Sequence, residues 1–172
     1  ILMDAGNAFF GGQSFRKNGS AIASAYNVLG YDLLNLSYRD FRYGKKQTLE
    51  LLKLCEFSII SANLLDNASN EPLVDPYVLM PALDRSIAFI GVTQRPSGFD
   101  YLPHLKEQLS GIRIQSPNEA LNRWLPEARS KADWVVLVYY GSYQGLKPIL
   151  KKFGAALAMV IVGGSSPRDL PS

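Results

Sequence analysis

The chain has 172 residues, 47% of them hydrophobic and 19% charged, which excludes a disordered polymer and supplies enough apolar matter for one cored domain. Its 18 basic and 15 acidic residues are spread along the chain, so the net charge of +3 forms no basic arm of the kind that grips nucleic acid. The single cysteine, Cys55, excludes an internal disulfide framework and any Cys-x-x-Cys metal or haem motif, and no apolar run reaches the ~18 residues of a membrane-spanning helix.

In chain order, short β-branched apolar runs alternate with segments of helical period, the pattern of an α/β layered domain. Ile1 to Met3 reads as the second half of a buried strand, with the expectation that further chain precedes it. Ser14 to Leu29 is a predicted helix closing on Gly30, followed by a strand over Tyr31 to Leu36, a helix over Lys45 to Cys55 and a strand over Phe57 to Ser61. Asp66 to Pro81 holds three prolines among Asn, Asp and Ser, and reads as a loop or irregular edge segment. Ser86 to Val92 is the next strand. Pro103 and His104 open a short helix, and Ser116-Pro117 with Glu119 marks the entry of a helix over Asn118 to Lys131. A strand over Trp134 to Tyr139, a helix over Gln144 to Phe153 and a strand over Ala158 to Val162 complete the series. Pro167 to Ser172 is turn-like, and the chain is expected to be part of a longer polypeptide. No internal repeat, low-complexity tract or boundary divides it, so residues 1–172 read as one domain.

In open α/β folds ligands sit at the loops after the strands' carboxyl ends. Those loops are Asp4-Ala5-Gly6-Asn7, Ser37-Tyr38-Arg39-Asp40-Phe41, Tyr140-Gly141-Ser142 and Gly163-Gly164-Ser165-Ser166-Pro167. Leu2-Met3-Asp4-Ala5-Gly6-Asn7-Ala8-Phe9 resembles the Leu-Asp-Ala-Gly-Asp-x-Phe segment of the calcineurin-like metallophosphoesterases, in particular the 5′-nucleotidase branch. Gly30-Tyr31-Asp32 through Ser37-Tyr38-Arg39-Asp40-Phe41-Arg42-Tyr43-Gly44 is similar to that branch's Gly-Tyr-Asp, strand, Gly-Asn-His-Glu-Phe-Asp-Tyr-Gly. Ser61-Ala62-Asn63-Leu64 matches its Ala-Asn-Leu. Later apolar segments around Ile90, Val136 and Ile161 follow in the family's order, so the resemblance covers nearly the whole chain. It implies a four-layer α/β/β/α sandwich with mixed sheets.

The resemblance also implies a pair of metal ions held by oxygen and nitrogen donors at the strand ends. Here the departures are consistent in direction. The family's bridging aspartate corresponds to Asn7, its asparagine to Tyr38, its first histidine to Arg39, a later histidine to Tyr140 within one position, and the two histidines of Gly-His-x-His to Ser165 and Pro167. An amide cannot bridge two cations as a carboxylate does, protonated phenol and hydroxyl are poor ligands, and proline has no side-chain donor. Near an effective dielectric of 20, unit charges ~4 Å apart interact by roughly 4 kcal/mol, so a divalent ion beside Arg39 would be repelled by about twice that.

No metal and no cofactor are expected on these grounds, and the implied role is a non-catalytic, pseudo-5′-nucleotidase domain that binds a protein partner or serves further domains of its own polypeptide. Two alternatives stand beside it: a phosphoester or nucleotide hydrolase with atypical ligands, and an anion or nucleotide sensor built on Arg39, Gly164 and Ser165, the glycines offering a backbone nest. Arg39 is otherwise a partner for Asp40, Asp4 or solvent. Asp4 and Asp40 are the one conceivable acid–base pair. His104 reads as a surface residue away from the strand ends, Cys55 as a buried inert thiol, and Trp124 and Trp134 as core. Tyr38, Phe41, Tyr43, Tyr139, Tyr140 and Tyr143 line a vacated pocket, form a contact surface or fill the core. Because members of the 5′-nucleotidase branch are commonly exported, the resemblance points to the periplasm or cell exterior.

Overall fold

The computed structural model describes residues 1–9 and 19–164. Along the central strand β8 (Trp134–Tyr140) the side chains alternate between two apolar cores, as the two-residue period of a strand requires. Val135, Leu137 and Tyr139 face one core together with Ala88, Ile90 and Val92 of β6 (Arg85–Thr93). Val136 and Val138 face the other, with Phe89 of β6 and with Leu33 and Ile60 from a separate sheet.

That separate sheet is parallel, in the order β1 (Met3–Asp4), β2 (Leu33–Asn35), β3 (Ser58–Ile60). Its outer face, carrying Leu34, is covered by α1 (Ser20–Leu29) and α2 (Lys45–Leu52) through Ala23, Leu51 and Leu52. The second sheet runs β5-β6-β8-β9, where β5 (Tyr77–Ala82) is antiparallel to β6 and β9 (Met159–Gly163) is parallel to β8. Its outer face is covered by α4 (Pro117–Lys131) and α5 (Tyr143–Phe153) through Ala120, Leu121, Leu125, Ala128, Leu146 and Ile149. The layers are therefore helix, sheet, sheet, helix, with mixed strand directions, as expected. A two-stranded ribbon of β4 (Leu64–Asp66) and β7 (Ile112–Ile114), with α3 (Pro103–Gln108) before β7, lies beside this frame.

The helix ends carry the predicted signals. Gly30 caps α1 in the left-handed conformation, and Ser116 and Glu119 form a reciprocal capping box at the start of α4. Three short elements escaped the pattern reading: β4 and β7, of three residues each, and β5, which lies mostly inside the segment expected to be loop or edge. Pro81 belongs to β5, and an outermost strand is where a sheet tolerates a residue with no N–H. Residues 14–18 of the first predicted helix lie outside the described residues. Among the described residues no helix is long and apolar enough to cross a membrane. Trp134, expected in the core, is 47% exposed at the start of β8, whereas Trp124 packs against the α4 side of the core.

Candidate functional site

Parallel strands deliver their carboxyl ends to one edge of the sandwich, and the loops after β1, β2, β6, β8 and β9 meet there. The loop after β1 is drawn toward β2 by a single carboxylate. Asp40, fully buried in a 3-10 turn over Tyr38–Phe41, accepts hydrogen bonds from the backbone N–H of Asn7 (3.1 Å), Phe9 (3.3 Å) and Ser37 (2.9 Å) and from the Ser37 hydroxyl (2.7 Å). Burial raises its pKa above the ordinary carboxylate value, against the lowering by those four donors. Asp4 is engaged elsewhere: it accepts from Gly6 N–H (2.8 Å) and from the Tyr26 hydroxyl on α1 (2.6 Å). Burial, and then the Asp4 carboxylate, push the Tyr26 phenol far above its usual range. The conceivable Asp4–Asp40 acid–base pair is thus two separately satisfied structural carboxylates.

The space these carboxylates leave is occupied by an aromatic ring. Tyr140, at the end of β8, is 6% exposed, and burial pushes its phenol up to about 12. Its ring lies against two glycines: a Cβ added at Gly6 would stand 2.7 Å from Tyr140 Cδ2, and one at Gly164 2.8 Å from Cε2. Both glycines have positive φ, +121° and +78°, so backbone conformation and close approach each demand glycine there. Tyr38 meets the Tyr140 ring edge-on at 5.9 Å. Arg39 donates from Nε to the Tyr38 hydroxyl (3.3 Å), a bond that raises the guanidinium pKa further. The partners of Arg39 are these phenols, not Asp40 or Asp4.

Around them lies an open cleft of about 620 Å³, walled by Asn7, Tyr38, Arg39 and Arg42 on one side and by Pro96, Ser97, Leu102, His104, Leu105 and Gln108 on the other. A smaller lobe of about 160 Å³ continues past Arg39 to Gln94, Tyr140, Ser142 and Gly164. Gln94 ties down the loop after β8, its Oε1 accepting from Ser142 N–H (2.8 Å), the Ser142 hydroxyl (3.0 Å) and the Tyr139 hydroxyl (3.1 Å).

Of the sequence-predicted site residues, Asn7, Tyr38, Arg39, Tyr140 and Gly164 do converge; Ser165 and Pro167 lie outside the described residues. His104 contradicts its expected placement: it is exposed, but α3 folds back so that it faces Asn7 and Arg39 across the cleft. Gln94, Ser97 and Gln108 carry no sequence signal of their own, and only the packing of the β6–α3 segment brings them here. The aromatic group divides: Phe41 and Tyr139 are core, while Tyr38 and Tyr140 belong to the cleft. Cys55 is partly buried at the end of α2, with its thiol pushed up to about 11 by burial, the unreactive state expected.

The donors that the described residues bring to the strand ends do not make up the set a dinuclear metal centre needs. Among the described residues no three His, Cys, Asp or Glu side chains cluster as metal ligands would. The two nearby carboxylates are satisfied by other donors, and a guanidinium and a phenol ring stand in the middle.

No protein-family model matches the chain. Among curated proteins it is 27% identical over 119 residues to a 5′-nucleotidase of Vibrio cholerae, an overlap of 67% of this chain and 21% of that protein. Its fold superposes on the sulfate thiohydrolase SoxB of Thermus thermophilus with a TM-score of 0.81 at 22% identity, over 95% of this chain and 30% of that one. It superposes on the calcineurin-like phosphoesterase YfkN of Bacillus subtilis with a TM-score of 0.78 at 20% identity, over 95% and 57%. The architecture is that of the calcineurin-like phosphoesterases. The curated proteins it resembles in sequence include 5′-nucleotidases and 2′,3′-cyclic-nucleotide 2′-phosphodiesterase/3′-nucleotidases, of whose length it spans about a fifth.

Proposed function

We propose that residues 1–172 act as one phosphoesterase-fold domain that performs no phosphoester hydrolysis and serves a binding or structural role within a larger, exported protein or complex. One observation carries this reading: the Tyr140 ring lies hard against Gly6 and Gly164 and lines the cleft beside Arg39 at the carboxyl ends of the strands. Hydrolysis on this fold needs cations there to generate hydroxide and to stabilise charge on the phosphoryl oxygens. A neutral phenol with a pKa near 12 is no anionic ligand at neutral pH, and Arg39 beside it repels a divalent ion. With Asp40 buried and held by four donors and Asp4 bonded to Tyr26, neither of these strand-end carboxylates among the described residues is free to act as a base on water.

The test is metal analysis together with turnover. The purified protein is expected to hold no stoichiometric manganese, zinc or iron, and to leave a generic phosphodiester and a nucleoside monophosphate intact with manganese added. Two bound ions with turnover would overturn the proposal and favour a hydrolase with atypical ligands. A second reading, an anion sensor, is favoured by the cleft itself, whose described walls contain arginine and histidine and no Asp or Glu.

A further inference from the structure

We infer that the cleft between the 3-10 turn of Tyr38–Phe41 and helix α3 is a metal-independent binding site for a small organic oxyanion, a carboxylate or phosphate head on a compact apolar body. The inference rests on the metal-free reading above and deepens its sensor variant, moving the ligand from the glycine-rich loop after β9 to the opposite, α3 side of the cleft.

Three observations support it. The first is charge. Arg39 lines the cleft with no carboxylate among its partners in the described residues; it contacts the Tyr38 and Tyr140 phenols. Asp40, next in sequence, is turned inward and satisfied by four donors, and Asp4 is bonded to Tyr26. Among the described residues these two acids are thereby withdrawn from Arg39, and its charge faces the open cleft. A planar guanidinium whose Nε already donates to Tyr38 is held in orientation, which favours two-pronged engagement of a carboxylate or phosphate over a diffuse counterion.

The second is the polar complement. Asn7, Ser97 and Gln108 bring neutral hydrogen-bonding side chains to the same walls, and His104 offers a ring nitrogen from across the gap. The backbone N–H of Asn7 is committed to Ser37 and Asp40, which fixes the loop, in the left-handed region at φ 65°, from which its amide side chain reaches out.

The third is shape. Leu102 and Leu105, on α3 and just before it, and Pro96 form an apolar wall beside the cationic one, and about 620 Å³ lies within the range of small-molecule pockets. Leu102 is 39% exposed, an apolar group that a ligand would cover. A bare inorganic anion would use the charge and waste this wall. An organic anion uses both.

The experiment titrates the protein in EDTA with four probes that separate head from body: phenyl phosphate, phenylacetate, inorganic phosphate and benzyl alcohol. Binding is read by calorimetry and by the thermal shift it produces. At least one of phenyl phosphate and phenylacetate is expected to bind, at least tenfold more tightly than inorganic phosphate and benzyl alcohol; which of the two binds better assigns the head. Arg39→Gln, an exposed position that leaves the fold intact, is expected to weaken binding about tenfold or more, the loss of one charge-assisted contact. Leu102→Gln is expected to weaken it less and to leave inorganic phosphate unaffected. Arg129→Gln, exposed on α4 away from the cleft, is the control and is expected to change nothing.

The inference is overturned if no probe binds in EDTA, if benzyl alcohol or inorganic phosphate binds as tightly as the organic anions, or if Arg39→Gln binds like the parent. Binding that appears only when manganese is supplied would overturn it too, and with stoichiometric metal and turnover would remove the non-catalytic reading as well. Absence of both metal and binding would remove this inference alone.

Discussion

The space between the two sheets and the rim at their carboxyl ends are built from the same strands, yet they follow different rules. Between the sheets, Leu33, Ile60, Phe89, Val136 and Val138 are interchangeable in kind: any apolar side chains of suitable volume would hold the layers together. At the rim, beyond the carboxyl ends of those strands, individual groups are engaged one to one. Asp40 takes four donors, Gln94 takes three, and Tyr140 lies against two glycines. The lesson is that the interior is held by apolar volume, whereas each buried group at the rim depends on a particular partner.

Predictions can break that separation. The largest effect is expected in the apolar core: Leu137→Ala, at a fully buried position on the helix-covered face of β8, should cost about 2–5 kcal/mol in urea unfolding. A loss under 1 kcal/mol would mean that the second sheet is not the frame described here. Next comes the rim's own anchor. Asp40→Asn keeps the shape but turns an NH2 group toward donors, leaving N–H groups of Asn7, Phe9 or Ser37 short of an acceptor; about 1–3 kcal/mol is expected, with faster amide exchange confined to the loop after β1. Exchange that quickens throughout both sheets would show that rim and interior are one cooperative unit.

The smallest effect is in acid. Asp66 beside Lys45, Glu127 beside Lys131, and Asp133 bonded by Ser86 and Arg85 all have pKa values held below the ordinary carboxylate range. Their contribution is present above the unfolded value of about 4 and is lost as pH falls through the folded values. Asp40 runs the other way: its folded pKa is raised, so its contribution is fullest below the unfolded value and fades as pH rises through the folded one. The urea midpoint is expected to be lower at pH 3 than at pH 7, and the drop to be larger in Asp40→Asn. An equal drop in the variant would mean that Asp40 has no raised pKa.

Much of the frame was legible before any coordinates. The β-branched runs at Trp134 to Tyr139 and Ala158 to Val162, the Gly30 cap and the Ser116–Glu119 capping box all stand where periodicity and capping chemistry placed them. Short strands were not legible, because three residues such as Ile112–Ile114 hold too few repeats of a two-residue period to rise above background. The motif resemblance located Asn7, Tyr38, Arg39 and Tyr140 at strand ends. It gave no warning that His104, on a helix 11 residues beyond the end of β6, would face them.

What the sequence determined by itself is a matter of local chemistry: which segments bury one face or both, and which residue types stand at the strand ends. Those follow from side-chain polarity and backbone preference, which each residue carries with it. The tertiary structure alone decided that Asp4 takes the Tyr26 hydroxyl and Asp40 the Asn7 N–H, that Tyr140 lies against Gly6 and Gly164, and that α3 lines the cleft. These depend on distances between residues about 20 to 130 positions apart, which packing sets and no local pattern encodes.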